Sequence, residues 1–459
     1  MIERVRGWLR AHMSSPRDAA GLAAFRVFIG VLGTISALRF LHYGWVDALF
    51  VTPRFHFKYW FAPFVEPLSR TGMVTVFWII AASGLLIALG LCYRLAIVTF
   101  LLAFSYVQLI DVTNYLNHYY LLSLLALLMT CMPLGQVYGL DGWLSARQNG
   151  LRPRTTLPGW CVAILRLQIA VVYTYAGVAK LTGDWLVHAQ PLSIWLSART
   201  SLPLVGPLLA EPWAPLAMSW LGCAFDLTIV CWLSWRKTRP WAFAALVMFH
   251  ALTRHLFPIG MFPFIMVASA SVLFEPGWPR RWLPLPAATA WAKRPTSGPR
   301  LALGGAALAL FALVQVLAPL RTFAYGGDVH WHEQGMRFSW RVMVREKNAS
   351  VTYLVDDLRS GRTVEVSPRA YLDARQEREF ATQPDLIAQL ARHIARERSG
   401  KTGSPVRVRA EVLANLNGRR ATLLLDPNVD LANTHESIAP APWILPIPEG
   451  QPSLLRASR

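Results

Sequence analysis

The stretch WCVAILRLQIAVVYTYAGVAK, residues 160–180, is apolar except for Arg166 near its middle and Lys180 at its end. About 20 such residues are needed for an α-helix to cross a lipid bilayer. Similar runs recur along the chain of 459 residues, of which 54% are hydrophobic, a share too high for a soluble globular protein. The sequence therefore predicts a multi-pass membrane protein.

Nine apolar segments are close to the length of a membrane span, although the seventh and eighth are short. They lie near residues 20–42, 72–92, 94–113, 116–134, 160–181, 211–235, 239–254, 257–275 and 301–320. The predicted fold of residues 1–320 is thus a mainly α multi-pass membrane helical bundle of about nine spans.

Residues 321–459 follow a different pattern, which predicts a small α+β domain outside the membrane. Apolar residues alternate in RFSWRVMV, residues 337–344, as in a strand with one buried face. The segments VTYLV, TVEV, VRVRAEV and ATLLL are further strand candidates. Residues 371–397 predict one or two helices, divided at Pro384.

The net charge of +19 would suit a nucleic-acid partner, but its distribution argues against one. Residues 1–320 carry +15 and residues 321–459 only +4, and the excess lies in short loops between the predicted spans. These basic loops alternate with loops that are rich in aromatic residues. Because arginine and lysine favour cytoplasmic loops, we predict a cytoplasmic N-terminus, a tail outside the membrane and no nucleic-acid partner.

Lys180 is one of only six lysines, beside 39 arginines. It could be a membrane-rim anchor whose stem reaches the interface, or it could pair with Asp184 one turn further on. The small residues Ala176, Gly177 and Ala179 favour close helix packing instead, which would bury the amine in protein. A buried lysine can lose its proton and act as a base, whereas an arginine cannot.

The segment NYLNHYYL, residues 114–121, places Asn117 and His118 together at the start of the fourth predicted span. A histidine beside Tyr119 and Tyr120 is common in the aromatic belt at a membrane interface. The alternative is a polar pair that orients a small ligand through hydrogen bonds.

The segment FHALTRHLF, residues 249–257, contributes His250 and His255 at a second turn on the same side. Their spacing differs from the His-x3-His spacing of a helical zinc site, and no carboxylate completes a ligand set. We therefore expect no metal.

Arg26, Arg166 and Asp226 lie in the inner halves of predicted spans. Buried charges in membranes are usually paired. We predict that these three form a structural ion-pair network rather than a proton path.

Several stretches occur in the order found in vitamin K-dependent γ-glutamyl carboxylases, and the chain resembles this family over nearly its whole length. The form it resembles is the short bacterial one with an HTTM membrane domain. The stretches are GLCYRLAIVTFLLAFSYVQLIDVTNYLNHYYLLSLLA, YAGVAKLTGDWL, FHALTRHLFPIGMFPFIMVAS with LFEPGWP, GMRFSWRVM, and LLLDPNVDLANT. The resemblance implies a transmembrane catalytic domain at residues 1–320 and an outer domain at 321–459. We expect a bacterial inner membrane, with the outer domain in the periplasm.

The resemblance also implies an enzyme of the carbon-carbon lyase class. Such an enzyme oxidises vitamin K hydroquinone, a reduced menaquinone or phylloquinone, to its 2,3-epoxide with O2. The strong base so formed removes a γ-proton from glutamate, and CO2 adds to the carbanion. The implied partners are a glutamate-containing peptide or protein, membrane lipid and the quinone, with O2 and CO2 as co-substrates.

By this resemblance, Lys180 deprotonates the hydroquinone and His118 assists formation of the carbanion. Asn117 falls near a quinone oxygen, and Tyr119, His250 and His255 are further candidates for contact with this cofactor. The outer-domain stretch near the substrate glutamate supplies the candidates Trp331, Arg337 and Trp340.

Two alternatives to the carboxylase stay open. The chain ends soon after PAPWILPIPEG, whereas animal members of the family continue well beyond this place. One alternative is a quinol epoxidase or oxygenase that carboxylates no peptide. The other is a quinone- or lipid-binding membrane protein without catalytic activity, although a deprotonatable lysine would have no use there.

Overall fold

The computed structural model describes residues 13–150, 154–285, 299–435 and 437–447, together with Gly450 and Pro452. Its N-terminal part is a bundle of helices. They are α1 (Ala20–His42), α2 (Arg70–Leu89), α3 (Tyr93–Ile110), α4 (Asn117–Thr130), α5 (Leu140–Gln148), α6 (Gly159–Val178), α7 (Ala214–Ser234), α8 (Arg239–Leu256), α9 (Phe262–Ala270) and α10 (Pro299–Leu317). Two short strands, β1 (Pro16–Asp18) and β2 (Thr156–Pro158), pair beside the starts of α1 and α6.

Six helices within the described residues are long and apolar enough to cross a membrane. They are Ala20–His42, Arg70–Leu89, Tyr93–Ile110, Gly159–Val178, Ala214–Ser234 and Leu303–Ala324. The multi-pass helical bundle is therefore confirmed, but the predicted count of about nine spans is not. The fourth predicted span contains α4, which has only 14 residues, and the eighth contains α9, which has nine.

Small residues let α1 and α2 approach closely at the centre of their contact. A β-carbon added to Gly30 would lie 2.5 Å from the carbonyl oxygen of Gly84, so the backbones themselves are in contact there. Thr34 donates a hydrogen bond from α1 to the backbone carbonyl of Ala81 on α2. Such close packing compensates for the lack of a hydrophobic driving force between helices in lipid.

The predicted ion-pair network of Arg26, Arg166 and Asp226 is wrong. Arg26 donates to four backbone carbonyls, the closest at 2.8 Å, and Arg166 donates to two, at 2.8 and 2.6 Å. Carbonyls at helix ends and in turns lack partners within their own element, and a guanidinium with five donors can satisfy several of them. Asp226 pairs instead with Lys180.

The outer part is an α+β domain, as predicted. Its antiparallel sheet has the order β4-β3-β5-β6 and contains β3 (Lys347–Asp357), β4 (Thr363–Val366), β5 (Val406–Leu416) and β6 (Thr422–Leu423). Two helices, α11 (Ala374–Phe380) and α12 (Pro384–Thr402), belong to the same domain, and α12 packs on β5. The Tyr353 hydroxyl on β3 donates to the carbonyl of Ile387 on α12 at 2.8 Å.

Local sequence signals explain where α11 begins and where α12 begins and ends. The Asp373 side chain caps α11, and Gln376 completes a capping box there. Proline is favoured in the first turn of a helix, where Pro384 stands in α12, and Gly403 follows that helix in the left-handed conformation with φ of 63°. The predicted division at Pro384 is confirmed.

The strand predicted at 337–344 does not form. The segment runs through turns in which Phe338, Trp340 and Met343 have φ values of 62°, 60° and 52°. Non-glycine residues adopt this conformation only where surrounding contacts compensate for the strain. Here Trp340 is almost fully buried and stacks on Tyr120 of the membrane bundle, with ring centroids 4.9 Å apart.

Polar contacts fix the outer domain to the membrane bundle at two separate places. At one, Gln376 donates to the buried carboxylate of Asp111 at 2.8 Å. At the other, Arg419 forms two hydrogen bonds with Asp184, at 2.6 and 2.7 Å. The end of α6 and the start of α4 are thus held beneath the outer domain.

Candidate active site

Lys180 lies just beyond the end of α6 and points into the bundle. Its Nζ atom is 2.7 Å from Oδ2 of Asp226 on α7 and donates to the carbonyl oxygen of Ala176 at 3.1 Å. The two charged side chains are only 7% and 8% exposed. Because a lysine ammonium has three donors, one position remains for a further partner.

The close approach of α6 and α7 creates this pair. A β-carbon added to Gly177 would lie 2.7 Å from the side chain of Leu227 and 2.9 Å from its backbone nitrogen. Only glycine allows such proximity, and it brings Asp226, the residue before Leu227, within reach of Lys180.

Lys180 does not pair with Asp184. The Asp184 carboxylate is bound by Arg419 and also accepts a hydrogen bond from Asn417 at 2.8 Å. The ring of Trp185, which is itself buried, lies 5.2 Å from Lys180 Nζ. The amine is thus enclosed by protein rather than extended to an interface.

A line of aromatic side chains connects Asp226 with His118. The Tyr173 hydroxyl lies close enough to Asp226 for electrostatic interaction and shares a hydrogen bond of 3.0 Å with Nε2 of His250. The ring of His250 packs edge-on against Phe262 at 5.6 Å, and Phe262 packs against the ring of His118 at 5.8 Å. Lys180, His250 and His118 therefore belong to one interior region.

Three helices that build this region carry buried polar atoms that have no hydrogen-bond partner among the described residues. They are Nδ1 of His250, both amide atoms of Gln168 on α6 and the hydroxyl of Ser269 on α9. Buried polar groups are nearly always satisfied, so such exceptions need an explanation. A ligand that carries hydroxyl or carbonyl oxygens would supply the missing partners.

Tyr119 lies beside His118, with ring centroids 4.5 Å apart. It lines a small apolar cavity among α1, α2, α3 and α4. The Tyr119 hydroxyl is 3.4 Å from the hydroxyl of Ser36 in the same cavity.

Asn117 connects the start of α4 to the outer domain. Its side-chain carbonyl accepts a hydrogen bond from the Tyr115 hydroxyl at 3.0 Å, and its amide donates to the backbone carbonyl of Arg341 at 3.4 Å. The Tyr115 hydroxyl in turn accepts from the backbone nitrogen of Phe338 at 2.9 Å. The segment 337–344 is therefore fixed directly above α4.

Two of the three outer-domain candidates already have polar partners, and the third, Trp340, is buried with its indole nitrogen unpartnered among the described residues. Trp331 is buried and donates from its indole nitrogen to the carbonyl of Leu445 at 2.8 Å, while Trp340 is buried against Tyr120. Arg337 forms a salt bridge with Asp385 at 2.7 Å. None of the three presents a free polar group to solvent.

His255 lies apart from the other candidates. It is exposed near the end of α8, whereas His250, five residues earlier, is buried on another face of the helix. Within the described residues, no three His, Cys, Asp or Glu side chains are grouped so that they could hold a metal ion.

Sequence reasoning did not assign Asp226, Tyr173 or Arg341 to the site. One signal could have found Asp226, because it is the only acidic residue inside the long apolar helix α7. Tyr173 and Arg341 have no such signal, since aromatic residues and arginines are common in this chain.

These features define an integral membrane protein. Its α-helical bundle contains a buried lysine–carboxylate pair and is covered by an α+β domain. Two family models match the chain: the HTTM domain over residues 14–278 and the vitamin K-dependent gamma-carboxylase lumenal domain over residues 301–450. The chain belongs to this HTTM-containing, vitamin K-dependent carboxylase family. The resemblance drawn from the sequence is thereby confirmed. No solved structure matches the chain significantly.

Proposed function

We propose that the protein is a vitamin K-dependent γ-glutamyl carboxylase that couples quinol epoxidation to carboxylation of glutamate residues in a peptide or protein. When bound, vitamin K hydroquinone supplies with O2 the strong base that removes the γ-proton, and CO2 adds to the resulting carbanion. The protein's own residues must take the first proton from the hydroquinone, hold the two substrates and exclude water.

The buried pair of Lys180 and Asp226 is the observation that carries this proposal. Two opposite charges in a site of low dielectric lose much of their hydration, which favours transfer of the shared proton to give a neutral amine and a neutral acid. A neutral amine can accept the phenolic proton of a hydroquinone. Asp226 serves as the acceptor for the proton that Lys180 must release before it can act.

Water must be kept from this amine, and two features support its exclusion. The indole of Trp185 covers the amine, and its nitrogen donates to the carbonyl of Ser219 at 2.8 Å, which holds the ring in place. Arg419 and Asp184 fix the outer domain beside the same turn. A dry site strengthens every charge interaction of the reacting groups.

The residues around His118 fit a quinone. The apolar side chains around Tyr119 suit contact with an isoprenoid chain, whereas the unpartnered Nδ1 of His250 and the amide of Asn117 can contact ring oxygens. Within the described residues, His118 makes ring contacts with Tyr119 and Phe262 and forms no side-chain hydrogen bond, so its nitrogens are available for the step at the glutamate carbon. His255 is proposed to contact the quinone only at the rim of the site.

The proposed topology follows the charge distribution. The N-terminus is cytoplasmic, residues 1–320 form the catalytic membrane domain in a bacterial inner membrane, and the domain of residues 321–459 lies in the periplasm. Peptide substrates therefore approach from the periplasmic side, under the outer domain.

A second candidate function is quinol epoxidation without carboxylation. The observation that favours it is the engagement of Trp331, Arg337 and Trp340 by other protein groups. If these were the sole contacts for a glutamate side chain, no peptide would be held in place.

One experiment separates the two functions. Purified protein in detergent receives vitamin K hydroquinone, labelled CO2 and a glutamate-rich peptide, and both the epoxide and the incorporated label are measured. A carboxylase forms both products, whereas an epoxidase forms only the epoxide. Absence of both products, in protein shown to be folded, would leave a binding protein without catalytic activity.

A further inference from the structure

A small cleft lies between the end of α6 and the outer domain. On the α6 side it is lined by Tyr175, Val178 and Ala179, and Ala179 is the residue immediately before Lys180. On the other side it is lined by Arg341. The cleft therefore lies between the helix end that precedes Lys180 and a cationic side chain.

Arg341 contacts only neutral groups. One guanidinium nitrogen lies 3.3 Å from Nε2 of His330, and the other donates to the hydroxyl of Thr322 at 3.2 Å. The guanidinium carbon is 6.0 Å from the centre of the Phe323 ring. No carboxylate lies within ion-pair distance of Arg341 in the part of the chain that the structure describes.

Three other arginines of the outer domain have a carboxylate partner, which Arg341 lacks among the described residues. Arg337 is paired with Asp385 at 2.7 Å, Arg345 with Glu333 at 2.8 Å, and Arg419 with Asp184 at 2.6 Å. A half-buried cation without a counter-ion is unfavourable, and an incoming anion offsets that penalty. Burial lowers the pKa of Arg341, but an arginine remains charged at any accessible pH.

His330 orients the guanidinium. Nδ1 of His330 lies 3.2 Å from the carboxylate of Asp328, so that nitrogen carries the proton, and Nε2 is left to accept from Arg341. This chain from Asp328 through His330 fixes one edge of the guanidinium. The remaining donors of Arg341 are free to form a pair of parallel hydrogen bonds with a planar anion.

We propose that Arg341 is the carboxylate-binding residue for the substrate glutamate, held in the cleft that adjoins Lys180. This inference rests on the proposed function, because it assumes a peptide substrate. A carboxylate matches the fork of donors on a guanidinium, whereas the neutral CO2 molecule does not need one. We assign this role to Arg341 rather than to Arg337, because Arg337 already pairs with the carboxylate of Asp385.

The test compares binding of two peptides that differ only in glutamate or glutamine at the central position. Fluorescence anisotropy of labelled peptides is measured with the full chain in detergent, so the result does not depend on turnover. We expect the wild-type protein to bind the glutamate peptide about 10- to 100-fold more tightly, as for a charge-assisted pair of hydrogen bonds. Arg341→Gln should abolish this preference while leaving the affinity for the glutamine peptide unchanged.

Two further variants complete the design. Arg362→Gln removes an exposed arginine of the same domain and should retain the preference for glutamate. Arg341→Lys keeps the charge but loses the fork, and should retain only part of the preference. It also provides a measurement if Arg341→Gln does not fold.

The outcomes distinguish this inference from the proposed function. Carboxylation by the wild-type protein together with an unchanged glutamate preference in Arg341→Gln would overturn the role of Arg341 and leave the function intact. Loss of the preference in Arg341→Gln, in a protein that forms no carboxylated product, would support the carboxylate site and reject the carboxylase. A wild-type protein without any glutamate preference would overturn the inference directly.

Discussion

Nζ of Lys180 lies 2.7 Å from the carboxylate of Asp226, and the two residues belong to different helices and are almost completely buried. The lysine therefore has a partner that holds it inside the bundle and that can exchange a proton with it. This relationship argues against an anchor at the membrane surface and supports the proposed role of the amine, and it leads to the following tests.

Lys180→Arg should reduce epoxide formation by about 10²- to 10⁴-fold, the usual contribution of a general base. Arginine can still pair with Asp226 but cannot lose its proton, so the fold should be retained while the proton acceptor is lost. The rate of epoxide formation at neutral pH measures this effect. Lys237→Arg, at an exposed position, is the matched control and should retain full activity. Near-normal epoxidation by Lys180→Arg would rule out the proposed role of the lysine.

Asp226→Asn should lower the stability of the protein in detergent, because breaking a buried ion pair costs about 3–5 kcal/mol. The double variant Lys180→Met with Asp226→Leu removes both charges and should recover most of that stability, although epoxidation stays absent. Denaturant unfolding of the wild type and the two variants measures the free energies. Recovery of epoxidation in the double variant would show that the pair is structural only.

His118→Ala should reduce incorporation of labelled CO2 more than epoxide formation, if His118 serves the glutamate carbanion. The expected loss in carboxylation is about 10²-fold, as for a group that assists proton transfer. The ratio of the two products, measured in one reaction, is the relevant quantity. His435→Ala, at an exposed position, is the control. An equal loss of both products would instead place His118 in quinol binding.

Trp340→Ala should lower the free energy of unfolding by about 3–5 kcal/mol, since Trp340 is almost fully buried and stacks on Tyr120. The same substitution should raise the KM for the peptide, because the strained segment 337–344 also carries Arg341, while the affinity for quinol stays constant. Unfolding and steady-state kinetics measure the two effects. A change confined to quinol affinity would contradict this division of roles.

Lys347 should make the outer domain more stable at alkaline pH. Burial lowers the pKa of Lys347 to about 8, although Glu333 opposes this shift. Because the unfolded chain then binds more protons than the folded one between pH 8 and 10.5, the free energy of unfolding rises with pH across this window, by up to about 3 kcal/mol from this residue.

The measurement is the difference between wild type and Lys347→Met, since buried tyrosines titrate in the same range and contribute to both proteins. Glu333 keeps its partner Arg345 in the variant, so the substitution introduces no unpaired carboxylate. A difference that does not change between pH 8 and 10 would exclude this role of Lys347.

Much of the architecture follows from the sequence because it depends on local pattern. The length of apolar runs such as residues 160–180 determines that the chain crosses a membrane, and the alternation in VRVRAEV with the proline at 384 determines the strands and helices of the outer domain. The count of about nine spans is not confirmed, because an apolar run does not reveal how much of it is helical, and α4 has only 14 residues.

The sequence by itself also singled out Lys180, through its rarity and the small residues before it, but not the partner that gives this lysine its chemistry. Asp226 is 46 positions away, and only the close packing of α6 on α7 at Gly177 brings the two together. Tertiary contact likewise decided that Arg337 is neutralised by Asp385 while Arg341 is not. Whether two buried charges pair depends on their distance in space, and the order of residues along the chain does not show that distance.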